Sequence, residues 1–495
     1  MSDLPNSWIE TALTNLSTIE MGQSPDSRSY NSEGKGLPFF QGKAEFQAAF
    51  PEIRKWCSEP TKVVERGDIL LSIRAPVGPT NIAPEKSCIG RGLAGIRAET
   101  GVNQSYLYYF FKNIEPWLSE QGTGSTFAAI SGQFVREISC PVAPSAEQTR
   151  IVAKLEELLS DLDAGVAELK AAQQKLVQYR QSLLKAAVTG ALTAEWRQHN
   201  QPGETGAQLL QRILTERRAR WEARQLAKFQ AQDKTPPKDW QKKYPEPVPP
   251  DTTDLPELPE GWVWSSLGEC FQVAVGATPS RKEVGYWNGA IPWVSSGEVR
   301  FNRIKDTKEK ITDAGLSNSS TQINPVGSVL LGMIGEGKTR GQVAILDIPA
   351  ANNQNCAAIW VSESGVPPEF VYCWLWSQYE QTRRGSSGNN QPALNKSIVE
   401  RISMPLPPLA EMQEIVRVVD ATMEQIASQE EAVAQSLKQS SAQRQNILRA
   451  AFAGQLVPQD PKDEPASVLL ERIRAERAAQ AAQRKQRGHN PRKTT

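Results

Sequence analysis

The sequence predicts an α+β protein in which a globular domain of mixed, mostly β character and a long coiled-coil helix each occur twice. The first observation behind this is an internal repeat. Leu4-Pro5-Asn6-Ser7-Trp8 returns as Leu258-Pro259-Glu260-Gly261-Trp262, Gly22-Gln23-Ser24-Pro25 as Gly276-Ala277-Thr278-Pro279, and Leu37-Pro38-Phe39-Phe40 as Ile291-Pro292-Trp293-Val294, all 254 positions on. Pro141-Val142-Ala143-Pro144 returns as Pro405-Leu406-Pro407-Pro408 and Ala186-Ala187-Val188-Thr189-Gly190 as Ala450-Ala451-Phe452-Ala453-Gly454, 264 positions on. The second observation is that each half passes from short β-rich runs, punctuated by Gly, Pro and Asn, into a stretch with apolar residues every three or four positions. A repeat of this length is a domain pair with its connectors, since solenoid repeats run roughly 20 to 50 residues. Two similar units build a pseudo-twofold object, which suits a target in two parts.

Residues 1–145 form the first domain, with Gly67-Asp68-Ile69-Leu70-Leu71-Ser72-Ile73 as a typical strand and a helix near Tyr106–Lys112. Residues 146–200 are the first coiled-coil helix, preceded by Ser145 as a cap and with Glu147 in its first turn. Its seam runs through Ile151, Leu155, Leu158, Leu162, Val166, Leu169, Leu176 and Leu183, with irregularity around Gly165 and Gln173. Residues 201–254 hold a charged helix and a linker; eight prolines between Pro236 and Pro259 predict an extended, semi-rigid connection. Residues 255–408 are the second domain and 409–456 the second coiled-coil helix, with a weaker seam of Ile415, Val419, Ile426, Val433, Leu437 and Ile447. Residues 457–495 are a C-terminal charged helix and basic tail. Both charged helices carry Leu-Leu-x-Arg-Ile, at 209–213 and 469–473. The stretches Glu147–Gly190 and Glu411–Gly454 have the same length, so the two long helices can pair along their whole extent, with Gly190 and Gly454 as stops. The weaker second seam predicts that a partner completes part of the helical surface.

With 495 residues the chain is long enough for two to four domains. No run approaches the roughly 18 apolar residues that span a bilayer, and the start lacks the pattern of a signal peptide, so a cytoplasmic location without membrane contact is expected. Six cysteines without a C-x-x-C pair predict reduced, mostly buried thiols, and two histidines in polar stretches argue against a metal site or histidine-based catalysis. A net charge of +1 is not that of an indiscriminate nucleic-acid binder. The charge is uneven, however: residues 210–243 carry ten Lys/Arg against four Asp/Glu, and 471–495 eight against two.

One catalytic motif appears literally. Gly332-Met333-Ile334-Gly335-Glu336-Gly337-Lys338-Thr339 satisfies the phosphate-loop pattern after a predicted strand. Such a loop works when Lys-Thr open a helix whose amides face the phosphates. Here Arg340-Gly341-Gln342-Val343-Ala344-Ile345-Leu346 reads as a turn and a second strand, so a hairpin is predicted and Lys338 and Arg340 become candidates for a nucleic-acid backbone. The Asp/Asn-Pro-Pro-aromatic motif of amino-methyltransferases, a serine elbow and a nuclease-type acidic pair are all missing from the sequence.

The order of these segments resembles the specificity subunit of type I restriction–modification enzymes. So do the Leu-Pro-x-x-Trp openings, the Pro-rich leads into the coils, Ala451-Phe452-Ala453-Gly454-Gln455-Leu456-Val457-Pro458-Gln459-Asp460, Glu464-Pro465-Ala466-Ser467-Val468-Leu469-Leu470-Glu471-Arg472-Ile473, and Ala187–Arg197 as a central region. The resemblance covers essentially the whole chain. It implies two target-recognition domains separated by an antiparallel helix pair, each domain reading one half of an interrupted, asymmetric site in double-stranded DNA. It further implies that the helices dock two copies of an adenine-N6 methyltransferase subunit carrying S-adenosylmethionine, that motor-nuclease restriction subunits using ATP and magnesium join the complex, and that this chain is non-catalytic, with no cofactor or metal of its own.

Loops on a β scaffold carry variable recognition. The candidate DNA contacts are therefore Ser24, Arg28, Gln41, Lys43, Arg74, Arg91, Thr123, Ser125 and Thr126 in the first domain. In the second they are Thr278, Arg281, Lys282, Ser295, Lys338, Arg340, Arg383, Arg384, Asn389 and Asn390. Arg can fork onto guanine and Asn or Gln onto adenine, whereas Ser and Lys more often hold phosphate. The alternative is a bipartite coiled-coil scaffold that binds only proteins.

Overall fold

The computed structural model describes residues 4–122, 129–335, 338–384 and 394–488. Contacts divide the chain into two compact units, one made of Met1–Ala171 with Val433–Thr495 and the other of Ala172–Ala432. Each unit holds a β-containing domain, about half of each long helix and one charged helix.

In the first unit, Ile9–Ala12 pairs antiparallel with Ser139–Val142, in register Ile9 to Val142. A four-stranded sheet runs Ser17–Met21, Leu93–Ala98, Ile69–Ser72, Thr80–Ile82. Successive side chains of a strand face opposite ways, so Ile69 and Leu71 join the core under the helix Gln104–Glu120, while Leu70 packs with Phe40 and Val64 on the other face. The second unit repeats this. Val263–Ser266 pairs with Ser403–Leu406, and the sheet runs Gln272–Val275, Cys356–Trp360, Val329–Gly332, Val343–Leu346, with Asn302–Ile304 added in parallel at its edge. Val329 and Leu331 face one core and Leu330 another.

The two long helices, Ser145–Val188 and Leu409–Phe452, have 44 residues each. In the first unit Asp163 pairs with Arg444, and Ile151, Leu155 and Leu159 share a core with Leu448 and Phe452. In the second unit Arg180 meets Glu430 at 2.6 Å, and Leu183, Leu184 and Ala187 share a core with Ile415, Val419 and Ile426. Within each unit the helix halves therefore run antiparallel. Of the seam residues, Ile151, Leu155, Leu183, Ile415, Val419 and Ile426 are buried; Leu158, Leu162, Val166, Leu169, Leu176, Val433, Leu437 and Ile447 are half-buried. The seam omits a second buried row, Val152, Leu159, Leu184, Ala187 and Val188, which packs into the same cores.

Two local readings change. Ser145 is the first helical residue, and its hydroxyl donates to the Gly101 carbonyl (2.6 Å) instead of capping. The linker is not extended throughout: Trp240–Lys243 forms a 3-10 turn that folds back onto the first charged helix, Gly206–Ala231, where Trp240 stacks on Trp221 at 5.7 Å. Both charged helices also bury apolar residues in the cores. Leu209 and Ile213 are buried in the second unit, and Leu469, Leu470 and Ile473 of Ala466–Gly488 in the first. The stops at Gly190 and Gly454 are left-handed, φ 75° and 70°, and a Cβ there would lie 2.6 Å from Pro259 and 2.4 Å from Pro5. All six cysteines are buried and free. Among the described residues no helix is long and apolar enough to cross a membrane.

Candidate nucleic-acid interface

The first unit gathers four of its candidates around one concavity of about 340 Å³, lined by Gln41, Gly42, Lys43, Ser72, Arg74, Ala75, Arg91 and Gly92. The side chains of Gln41, Lys43, Arg74 and Arg91 are exposed, and none of the three cations has an ion-pair partner among the described residues. The fold positions them through its backbone. Ser72 donates its hydroxyl to the carbonyls of Arg74 (3.1 Å) and Pro76 (2.9 Å), pinning the hairpin turn that presents Arg74. Phe39-Phe40 pairs in parallel with Cys88-Ile89, so Gln41 and Arg91 both emerge just beyond these paired ends. Gly92 permits the approach, since a Cβ there would lie 2.3 Å from the Gln41 carbonyl oxygen. Ser24 supports the site: its hydroxyl accepts the Arg91 N–H at 3.4 Å. Arg28 is exposed on the turn Ser27–Ser29, outside the concavity's lining. Thr123, Ser125 and Thr126 lie outside the described residues.

In the second unit the same scaffold carries different chemistry. By strand register Gln41 corresponds to Ser295 and Arg91 to Gln354. Ser295 donates to Glu298 (2.8 Å), and Gln354 accepts from Thr278 (2.7 Å). The hairpin loop is longer here, residues 333–342 against 73–79. This insertion produces the accidental phosphate-loop pattern: Lys338 and Thr339 sit in a turn before the strand Val343–Leu346, not at a helix start, while Glu336 and Gly337 lie outside the described residues.

The hairpin loop meets the short helix Tyr379–Arg384. Tyr379 donates to the Lys338 carbonyl (2.9 Å), Arg383 donates to the Tyr379 hydroxyl (3.0 Å), and Arg340 reaches the Thr382 carbonyl at 3.4 Å. Lys338, Arg340 and Arg383 thus come together, with Lys338 exposed and the two arginines half-buried. Arg281 stands in another group: its guanidinium forks onto Glu309 and stacks 3.7 Å from the Trp287 ring centre. That fork holds the Glu309 carboxyl below its usual range. Lys282 is exposed. Asn389, Asn390 and the side chain of Arg384 lie outside the described residues.

A family model described as the type I restriction modification DNA specificity domain matches residues 5–171 and again 259–439. The chain belongs to the type I restriction–modification DNA specificity family. The type I restriction enzyme EcoDI specificity subunit of Escherichia coli is 24% identical over 495 residues, covering 98% of each chain. A relative in Methanocaldococcus jannaschii named for the MjaX specificity subunit is 42% identical over 161 residues, 32% of this chain and 38% of that one. A solved chain from a type I R-M system shares the fold with a TM-score of 0.64 at 18% identity, over 92% of this chain and 99% of that one. The two matched specificity domains coincide with the internal repeat.

Within these specificity domains, sequence reasoning overlooked Gln354, Tyr379 and Thr382. The first sits in the amide run Asn352-Asn353-Gln354-Asn355, a visible signal because four adjacent side-chain amides stand between the apolar residues Ala350-Ala351 and the strand Cys356–Trp360. Tyr379 and Arg383 are one helical turn apart, which places them side by side.

Proposed function

We propose that this chain is the sequence-reading subunit of a type I restriction–modification complex and does no chemistry itself. Each specificity domain reads one half of an interrupted, asymmetric site in double-stranded DNA. The long helices set the spacer and dock two copies of an adenine-N6 methyltransferase subunit, which brings S-adenosylmethionine; restriction subunits bring ATP- and magnesium-dependent motor and nuclease chemistry. The observation that carries this reading is that the specificity-domain match occurs twice on one scaffold, while matching positions differ in chemistry, Gln41 and Arg91 in one copy against Ser295 and Gln354 in the other. Equal scaffolds with unequal side chains suit two different half-sites.

The cations around the first concavity supply direct readout and phosphate contact, and the near-neutral net charge of +1 leaves much of the phosphate neutralisation to the methyltransferase subunits. The test is to map methylated adenines in DNA exposed to the complex of this chain with its methyltransferase. The expected pattern is two short defined sequences, different from each other, at a constant separation. A contiguous motif, or methylation without sequence preference, would overturn the reading, and so would methyl transfer by the isolated chain.

A further inference from the structure

The first charged helix and the folded-back linker enclose a small cavity that the DNA-reading surfaces do not use. Its volume is about 110 Å³, several times what a single water needs, so it has room for a small oxyanion. Arg217, Arg220 and Arg224 line it from one face of the helix, with Trp221, Tyr244, Gln272, Trp360 and a single carboxylate, Glu363. Glu363 is shared by Arg220 (3.6 Å) and Arg224 (2.9 Å), Arg220 also meets Glu216 outside the lining at 3.5 Å, and Arg217 donates to the Glu269 carbonyl at 3.2 Å with no ion pair among the described residues. The walls therefore hold more positive than negative charge. Tyr244 is 9% exposed, packs edge-on against Trp221 at 5.4 Å, and its hydroxyl is buried with no hydrogen-bond partner among the described residues. Burial raises that hydroxyl above the usual tyrosine range, which keeps it a proton donor. An unsatisfied buried donor among forked cations is an incomplete hydrogen-bond network that an anion would complete.

The repeat supplies an internal control. Aligning Leu209–Ile213 with Leu469–Ile473 sets Arg217 against Arg477. Arg477 is fully used in the first unit: it donates to Glu99 (2.7 Å) and to the carbonyls of Thr14 (2.7 Å) and Ser17 (3.1 Å). Gln480 and Ala481 stand where Arg220 and Trp221 stand in the other copy. A structural arginine–carboxylate lock in one copy has become, in the other, a cavity with one extra arginine, Arg220, a tryptophan, Trp221, and a tyrosine supplied by the linker.

We propose that this cavity binds a phosphate group, held by the guanidinium forks of Arg217 and Arg220 and by the Tyr244 hydroxyl. The group is either that of free phosphate or a small phosphoester, or one from a DNA backbone. The test uses the purified full chain, melted in inorganic phosphate and in chloride at equal ionic strength. At phosphate concentrations ten or more times the dissociation constant, a melting temperature roughly 2–4 °C higher than in chloride is expected. Arg217→Gln and Tyr244→Phe should abolish most of that response, while Lys228→Gln, on the same helix outside the cavity, should keep it. Tyr244→Phe removes one oxygen, so it tests the site even if Arg217→Gln unfolds.

The second arm measures DNA affinity of the methyltransferase complex against salt. A slope flatter by about 0.9 in Arg217→Gln assigns the group to the DNA backbone. An unchanged slope with a lost phosphate response assigns it to a free ligand. The same phosphate response in wild type and both variants, or no response together with an unchanged slope, overturns the proposal.

Discussion

Trp262 donates its indole N–H to Glu411 Oε2 at 2.9 Å, joining the opening motif of the second domain to the first turn of the helix that leaves it. The repeat duplicates the bond: Trp8 donates to Glu147 Oε2 at 3.1 Å. What completes each carboxylate differs. Glu411 also accepts from Thr193 (2.6 Å) and pairs with Arg197, both just past the end of the first long helix. Glu147 accepts from Gln459 (2.6 Å), just past the end of the second. Each helix end is thus locked to the start of the other within its own unit.

Arg197→Met should be the most damaging single change at the second lock. Glu411 is fully buried, so removing its cation strands a charge and should cost about 3–5 kcal/mol. Trp262→Phe, which removes one charge-assisted donor, should cost about 1.5–3 kcal/mol. Urea unfolding of the second unit checks both; a loss for Arg197→Met below that for Trp262→Phe would mean the ion pair contributes little.

Glu147 makes the first lock pH-sensitive. Burial raises its carboxyl above the usual glutamate range, while the bonds from Gln459 and Trp8 pull it part of the way back. A folded value above the unfolded one means that folding favours the protonated form. Stability from this group is therefore greatest below the ordinary value of about 4.3 and declines as pH rises through the higher folded value. The stability difference between wild type and Glu147→Gln should shift against wild type as pH rises above the ordinary value of about 4.3. A difference that stays constant over that rise would remove Glu147 as the titrating group.

Arg74→Gln combined with Arg91→Gln should weaken DNA binding by the methyltransferase complex through one half-site only. If both contact phosphate, the salt slope should flatten by about 1.8; if either forks onto a base, specificity at one position should relax, with a loss of about 1–3 kcal/mol. Binding assays with each half-site scrambled in turn distinguish these cases. Equal loss at both half-sites would contradict the assignment of this concavity to one half.

Arg281 should behave differently. Its fork is occupied by Glu309 and its face by Trp287. Arg281→Gln should lower stability by no more than about 1 kcal/mol, because the pair is exposed, and should leave the salt dependence of DNA binding unchanged. A flatter slope would return Arg281 to the DNA contacts.

The spacer should follow the length of the long helices. An insertion at residues 192–195 would tear Thr193 and Arg197 from Glu411, so a heptad belongs instead within each long helix, near Gly165, which has open space around it, and at the facing stretch near Ala442. Seven residues add roughly 10.5 Å, about three base pairs at 3.4 Å each. Selection from a random-spacer library should return both half-sites unchanged with a longer gap; the original gap would place the ruler elsewhere.

The duplication, the two long helices and their stops, and the family were legible from the sequence because each is local. Motif order survives duplication, and a heptad pattern needs only neighbours within two turns. The helix ends were partly legible too: doubled apolar residues such as Ile151-Val152 and Leu183-Leu184 mark where a helix must face both a partner helix and a domain. Tertiary structure alone decided which charged helix joins which unit, since Gly206 bonds Gly261 and Ala466 bonds Ser7 far away along the chain. It also decided which cations stay free. Arg91 and Arg281 are both exposed loop arginines next to glycine, proline or serine, and nothing nearby in sequence distinguishes them. Glu309, 28 positions beyond Arg281, neutralises one, whereas Arg91 has no such partner among the described residues. Charge pairing depends on distances of a few ångströms in space, and only the packed chain sets those.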